Sequence, residues 1–173
     1  MLTLLGFLVS IGAAVAIALG YKYNLFIGGF LVLFSGAFDL FDGALARAKG
    51  QVTKFGALLD STLDRLSEAV VLLWLLVFCL AQHSTWEVVL IFIALISSLL
   101  VSYIRARAEG LGMRCEVGIF TRAERVIVLA LGLLLTPVYT HSLLIALGIL
   151  ASLALVTVIQ RLIYVWQQTK KEQ

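Results

Sequence analysis

The chain has 173 residues, of which 62% are hydrophobic and 13% charged, with a mean hydropathy of +1.07 and a formal net charge of +3. A soluble domain carries about a quarter charged residues, so this composition excludes an ordinary soluble protein and indicates an integral membrane protein. The length of residues 1–173 suits a single domain made of several helices of about 20 residues each.

Six apolar segments follow one another along the chain. We expect an all-α protein with six transmembrane helices in one bundle, because the runs are too long for the segments of about ten residues that build a membrane barrel. The first segment opens without a basic region or a cleavage site, so we interpret it as a spanning helix rather than a signal peptide. The predicted helices are residues 2–20, 25–48, 55–81, 87–109, 120–139 and 142–167.

Basic residues are distributed unevenly between the two ends of these helices. With six spans, both termini and the loops at 49–54 and 110–119 lie on one side of the membrane. Of the 13 Lys and Arg residues, all except Lys22 fall on that side. The positive-inside rule therefore places both termini and the polar stretches described next toward the cytoplasm.

Four aspartates lie at the cytoplasmic ends of the second and third predicted helices. Asp39 and Asp42 are three residues apart and Asp60 and Asp64 four apart, so each pair shares one face of its helix. Residues 49–54 interrupt the apolar pattern and predict a turn. A helical hairpin closed by that turn would bring all four carboxylates to one depth.

Such a cluster requires neutralisation, because like charges a few ångströms apart cannot all ionise in a low dielectric. Oxygen-only ligation suits Mg²⁺, Mn²⁺ or Ca²⁺, and two ions sharing carboxylates would form a clamp for phosphoryl chemistry. Gly43 and Gly56 leave room beside the carboxylates, and Arg47 offers a guanidinium to phosphate. The alternative is that the aspartates only cap helices or pair with Arg47 and Arg65.

The whole stretch has the spacing Asp-x2-Asp-Gly-x2-Ala-Arg-x8-Gly-x3-Asp-x3-Asp. It resembles, at every position, the signature of the CDP-alcohol phosphatidyltransferases. The resemblance implies that Asp64 also acts as the general base that takes the proton of an acceptor hydroxyl. It implies two Mg²⁺ or Mn²⁺ ions held by four carboxylates, those of Asp39, Asp42, Asp60 and Asp64. It places the nucleotide of a CDP-lipid against Gly43, Ala46, Arg47 and Gly56.

The first residues depart from the family pattern. Relatives usually begin with a juxtamembrane amphipathic helix and an Asn-Pro stretch, whereas this sequence starts at what resembles the end of that stretch, at Leu2 and Thr3. We therefore expect Thr3 to contact the nucleotide and the upstream contacts to be absent or to belong to a truncated segment.

Arginines recur at the cytoplasmic ends of the last three predicted helices. Arg105 lies in the fourth, Arg125 in the fifth and Arg161 in the sixth. Guanidinium groups bind phosphate through two parallel hydrogen bonds, so the three could form an anion pocket. Anchoring of the helices by positive charge, with local pairs such as Arg105 and Glu109, explains the same pattern and stays open.

The string Arg-Ala-Glu-Gly-Leu-Gly followed by Gly-x3-Arg-Ala-Glu-Arg is similar to the phosphatidylinositol-phosphate synthase branch of the family, including its archaeal members. That similarity implies that the phosphate of the acceptor binds Arg105, Arg125 and Arg161. It also implies the reaction, which is transfer of a phosphatidyl or archaetidyl group from a CDP-lipid to myo-inositol 1-phosphate with release of CMP.

Alternatives remain within the family and outside it. The acceptor could be glycerol 3-phosphate, serine or free inositol, although a basic pocket favours a phosphorylated alcohol. A cation or proton transporter would need ionisable residues across the full membrane depth, and the outer halves of the six segments are almost purely apolar. The expected partners are the CDP-lipid, the alcohol, membrane lipids and, because relatives are homodimers, a second copy of the chain; no nucleic acid is expected.

Overall fold

A computed structural model describes residues 2–19, 23–48 and 53–171, with side chains for residues 4–19, 23–38 and 53–170. Most of the described residues are helical and none of them forms a strand, which confirms the all-α prediction. The helices are α1 (Leu2–Ala18), α2 (Asn24–Ala48), α3 (Lys54–Ala81), α4 (Thr85–Gly110), α5 (Arg122–Leu134) and α6 (Ser142–Lys171). Most of the predicted turn at 49–54 lies outside the described residues.

Helix α5 is shorter than the predicted segment 120–139. It begins after Thr121, whose extended backbone (φ −83°, ψ −179°) forms the N-cap and whose hydroxyl donates to the Glu124 carboxylate. It ends before Pro137, which has no N–H to donate and disfavours helical backbone in the residue before it. The amide of Val138 bonds instead to the Leu135 carbonyl at 3.1 Å, so the chain leaves the helix in a turn.

Within the described part of the chain, two helices, Thr85–Gly110 and Ser142–Lys170, are long and apolar enough to cross a membrane. Shorter apolar helices run over Leu4–Ala18 and Asn24–Phe38. Many large apolar side chains are exposed around the bundle, including Phe92 at 57%, a surface that suits lipid rather than water. Six membrane spans remain a prediction.

The helices pack around a core whose largest fully buried side chains come from five of them: Ile17, Leu72, Leu75, Ile91, Leu133 and Leu147. Helix α5 packs against α2 and α6, α3 packs against α1 and α4, and α4 also packs against α6.

Two glycines allow the helices on either side of α5 to approach it closely. A Cβ at Gly29 of α2 would lie 2.9 Å from the Leu133 Cβ, and a Cβ at Gly132 of α5 would collide with Ala146 of α6. Small residues at such crossings let backbones meet without a side chain between them. The position of α5, which faces α3 across the site, is therefore fixed from both sides.

Candidate active site

The start of α3 determines where its carboxylates lie. Thr53 has an extended backbone (φ −97°, ψ 150°), and its hydroxyl accepts a hydrogen bond from the Gly56 amide at 3.0 Å. A Cβ at Gly56 would lie 2.8 Å from that hydroxyl oxygen, so glycine permits the tight cap. Asp60 and Asp64 follow about 9 and 15 Å along the helix at ~1.5 Å per residue.

Asp64 contacts an arginine of a different helix. Its Oδ1 lies 2.7 Å from Nη1 of Arg122, the first residue of α5, and both side chains are partly exposed. Asp60, one helical turn earlier, is also partly exposed. Arg65 was the other possible partner for the aspartates, but it donates to the Ser61 carbonyl of its own helix. The structure therefore places two carboxylates on one face of α3, with a guanidinium opposite.

The other half of the predicted metal site lies in the last turns of α2. The residues there are helical, but their side chains lie outside the described set: Asp39, Asp42, Gly43, Ala46 and Arg47. The side chain of Thr3 is outside it as well. Among the described side chains, no three His, Cys, Asp or Glu residues gather around a common point. The cluster of four aspartates therefore stays a prediction, with Asp60 and Asp64 as its located half.

The chemistry of that half fits a divalent cation. Asp60 and Asp64 offer carboxylate oxygens from successive turns of one helix, and oxygen donors are those that Mg²⁺ and Mn²⁺ prefer. Both side chains retain exposure, so ions and phosphate groups can reach them. The donor set therefore agrees with the predicted type of metal.

A second ion pair lies one turn further along α3, and the sequence did not single it out. Glu68 accepts hydrogen bonds from Nε (2.8 Å) and Nη2 (3.1 Å) of Arg125 and from the Ser98 hydroxyl (2.8 Å). Arg125 is only 3% exposed. The available signal was spacing, because Glu68 continues at i+4 from Asp64 the series that begins at Asp60.

The three arginines predicted to bind acceptor phosphate lie near one another in different settings. Arg105 is exposed and bonds Glu109 at 2.8 Å, which is the local pair weighed as an alternative. Arg161 is 6% exposed and donates to the carbonyls of Val117 and Val101. Arg105 and Arg125 lie close enough to Arg161 for their positive charges to repel its own. The structure thus brings the arginines together while giving each one a protein partner.

A glycine allows the α4–α5 loop to reach Arg161. Gly118 has φ +135°, a backbone conformation that side chains disfavour. A Cβ there would lie 2.7 Å from Cγ2 of Thr157 and 3.4 Å from Nε of Arg161. The loop therefore lies directly on α6, where the Val117 carbonyl accepts the bond from Arg161 at 2.9 Å.

A small, partly open cavity adjoins the ion pair of Glu68 and Arg125. It has a volume of about 30 Å³, and its polar lining includes Ser10, Ser35, Ser67, Glu68 and Arg125. This is room for one or two water molecules.

An all-helical bundle, a carboxylate pair suited to divalent cations and a group of arginines are features expected of a site for phosphate chemistry. The sequence model of the CDP-alcohol phosphatidyltransferase family matches residues 1–165. The chain belongs to that family of membrane-embedded transferases, which confirms the resemblance found in its aspartate stretch.

Similarity to individual relatives extends over almost the whole chain. The archaetidylinositol phosphate synthase of Methanothermobacter thermautotrophicus is 42% identical over 173 residues, covering 98% of this chain and 83% of the relative. The phosphatidylinositol phosphate synthase of Mycobacterium tuberculosis is 37% identical over 172 residues, covering 95% and 77%.

Solved structures of the mycobacterial enzyme share the fold. The crystal structure with CDP-DAG bound has a TM-score of 0.85 at 35% identity, covering 95% of this chain and 84% of that one. The structure in complex with manganese and citrate has a TM-score of 0.85 at 36% identity, covering 95% and 80%.

Proposed function

We propose that this transferase moves a phosphatidyl or archaetidyl group from a CDP-lipid to an inositol phosphate, releasing CMP. The observation that carries the proposal is the placement of Asp60 and Asp64 on one face of α3, with Arg122 at 2.7 Å from Asp64 and Arg125 close behind. Carboxylates for a divalent cation beside arginines for phosphate are what such a transfer requires. Relatives named for the same acceptor class support the choice.

The donor side of the site consists of the aspartates and the end of α2. Two Mg²⁺ or Mn²⁺ ions would be held here by the carboxylates of Asp39, Asp42, Asp60 and Asp64. When bound, such ions neutralise the diphosphate of the donor and the charge that develops on departing CMP. The nucleotide of the donor would contact five residues: Thr3, Gly43, Ala46, Arg47 and Gly56.

On the acceptor side, Asp64 acts as the general base. Its carboxylate takes the proton of the acceptor hydroxyl as that oxygen attacks the lipid-bearing phosphorus, and the bond from this phosphorus to the CMP oxygen breaks. Arg122 contacts the carboxylate at 2.7 Å and so limits its rotation. Arg105, Arg125 and Arg161 attract the phosphate of the acceptor.

The membrane arrangement completes the proposal. The apolar segments and the basic residues support six spans, with both termini and the active site toward the cytoplasm. The family pattern supports a homodimer. The lipid chains of the donor then stay in the bilayer while its headgroup reaches the aspartates.

The test is a transfer assay with purified protein, a CDP-lipid and a panel of acceptors, read by CMP release and product mass. The panel comprises inositol 1-phosphate, glycerol 3-phosphate, serine and free inositol, and both diacyl and diether donors are used. We expect inositol 1-phosphate to give the highest kcat/KM. A higher value for glycerol 3-phosphate or free inositol would overturn the acceptor assignment and leave the transferase class intact.

A further inference from the structure

Glu68 is a largely buried carboxylate that has no role in the reaction just described. It lies in the polar half of α3 and accepts three hydrogen bonds, two from Arg125 of α5 and one from Ser98 of α4. Its side chain is 11% exposed and that of Arg125 is 4% exposed. Burying two charges is costly even when they pair, so this pair calls for an explanation beyond stability.

Glu68 bonds only one of the two edges of the Arg125 guanidinium. The carboxylate bonds Nε and Nη2 of Arg125, at 2.8 and 3.1 Å, and therefore takes the side-on edge. A guanidinium has five N–H groups, and its end-on edge, formed by Nη1 and the second Nη2 hydrogen, is a separate fork that matches phosphate. At that end Nη1 has only a long contact of 3.5 Å to the Phe120 carbonyl.

Glu68 also fixes the register of two helices. Asp64 and Glu68 are one turn apart on α3, and Arg122 and Arg125 are one turn apart on α5. The pairs Asp64–Arg122 (2.7 Å) and Glu68–Arg125 (2.8 Å) therefore form two successive links between the helices. A shift of α5 that broke the Glu68–Arg125 pair would also move Arg122 away from Asp64.

We propose that Glu68 is a positioning residue for the acceptor: by holding Arg125 side-on, it presents the end-on edge of that guanidinium to the acceptor's phosphate. The proposal rests on the proposed function, in which Arg125 binds that phosphate. Glu68 acts only through Arg125 and touches neither substrate. Its negative charge opposes a second anion nearby, so its benefit comes from orientation and not from attraction.

The test compares steady-state kinetics of the full-length protein carrying Glu68→Gln, Arg125→Gln or both. The amide introduced by Glu68→Gln retains the size of the carboxylate but loses its second acceptor oxygen, so Arg125 is no longer clamped by two bonds. We expect the KM for inositol 1-phosphate to rise roughly tenfold, the weight of one charge-assisted hydrogen bond. The KM for the CDP-lipid should change less than about twofold. The double variant should match Arg125→Gln alone, because Glu68 acts through that residue.

Two further variants keep the result interpretable. Glu68→Asp retains the charge with a shorter reach, so it should fold and raise the acceptor KM by less than Glu68→Gln. Ser142→Ala removes a different buried hydrogen bond, from the Ser142 hydroxyl to the Gly132 carbonyl at 2.9 Å, and controls for general loosening of α5. We expect it to lower thermal stability without changing the ratio of the two KM values.

Other outcomes overturn the proposal. Equal rises in both KM values, as from loosened packing, would make Glu68 purely structural, and a fall in the acceptor KM would show that its charge opposes the phosphate. If Arg125→Gln raises the acceptor KM and Glu68→Gln does not, the positioning role fails while the proposed function stands. If neither variant responds and free inositol is the better substrate, the acceptor assignment itself fails.

Discussion

Replacing Asp64 by Asn separates the chemical role of this carboxylate from its structural one. Loss of a general base slows a reaction by ~10²–10⁴, about 2.7–5.4 kcal/mol in the barrier. The ion pair with Arg122, which the substitution also removes, stabilises the fold by a smaller free energy, because its side chains are 25% and 20% exposed. Its contribution lies between those of exposed and buried pairs, at about 1–2 kcal/mol. We expect CMP release at saturating substrate to fall at least ~10²-fold, with the protein still folded.

Arg122→Gln is the matched control, since it breaks the same ion pair and leaves the carboxylate in place. We expect it to lower turnover by less than about tenfold. Binding of the CDP-lipid, measured separately, should survive better in Asp64→Asn than in Asp39→Asn, although metal ligation by Asp64 narrows the difference. Equal losses of turnover in Asp64→Asn and Arg122→Gln, or equal losses of CDP-lipid binding in the two Asp variants, would refute the assignment of Asp64 as base.

Three further predictions concern the metal, the acceptor and the α4–α5 loop. Chelation by EDTA should abolish CMP release and added Mg²⁺ or Mn²⁺ should restore it; full activity of a thoroughly demetallated preparation would contradict the metal site. Arg125→Gln should raise the KM for inositol 1-phosphate with little effect on CDP-lipid binding, whereas Arg105→Lys, which keeps the charge, should be tolerated; an unchanged KM in Arg125→Gln would reduce the arginines to orientation signals. Gly118→Ala should lower the thermal midpoint, because left-handed backbone costs ~1–3 kcal/mol and Thr157 lies in the way, while Gly148→Ala, with nothing within 4 Å of its new Cβ, should be neutral or slightly stabilising.

Local features of the sequence predicted most of the helices well. The bounds of α2, α3 and α4 lie within two residues of those predicted, because apolar runs and polar breaks determine them. The spacing of Asp60 and Asp64 placed both on one face of α3 for the same reason. The early end of α5 followed from a signal that was present, Pro137, which hydropathy averaging conceals.

Contacts between helices were not predictable in the same way. Glu68 pairs with Arg125, 57 residues later in the chain, and that pairing depends on how α3 and α5 are aligned. The alignment depends in turn on close approaches such as Gly29 against Leu133, which no local pattern specifies. The sequence therefore identified Arg125 by its charge and missed the carboxylate that holds it.

The glycine contacts on both sides of α5 also bear on how this protein can evolve. A Cβ at Gly29 of α2 would lie 2.9 Å from the Leu133 Cβ and 3.0 Å from backbone atoms of Ala130 and Leu134, so a side chain there requires α2 and α5 to separate. Such a movement would carry Arg122 and Arg125 away from α3. A larger residue at Gly29 is therefore expected to cost function as well as stability. At Gly132 the clash is chiefly with the Cβ of Ala146, so Ala146→Gly is expected to compensate for a small side chain there. Adaptation to new acceptors is then expected to arise on the exposed end of α4, near Arg105, where side chains can vary without moving α5.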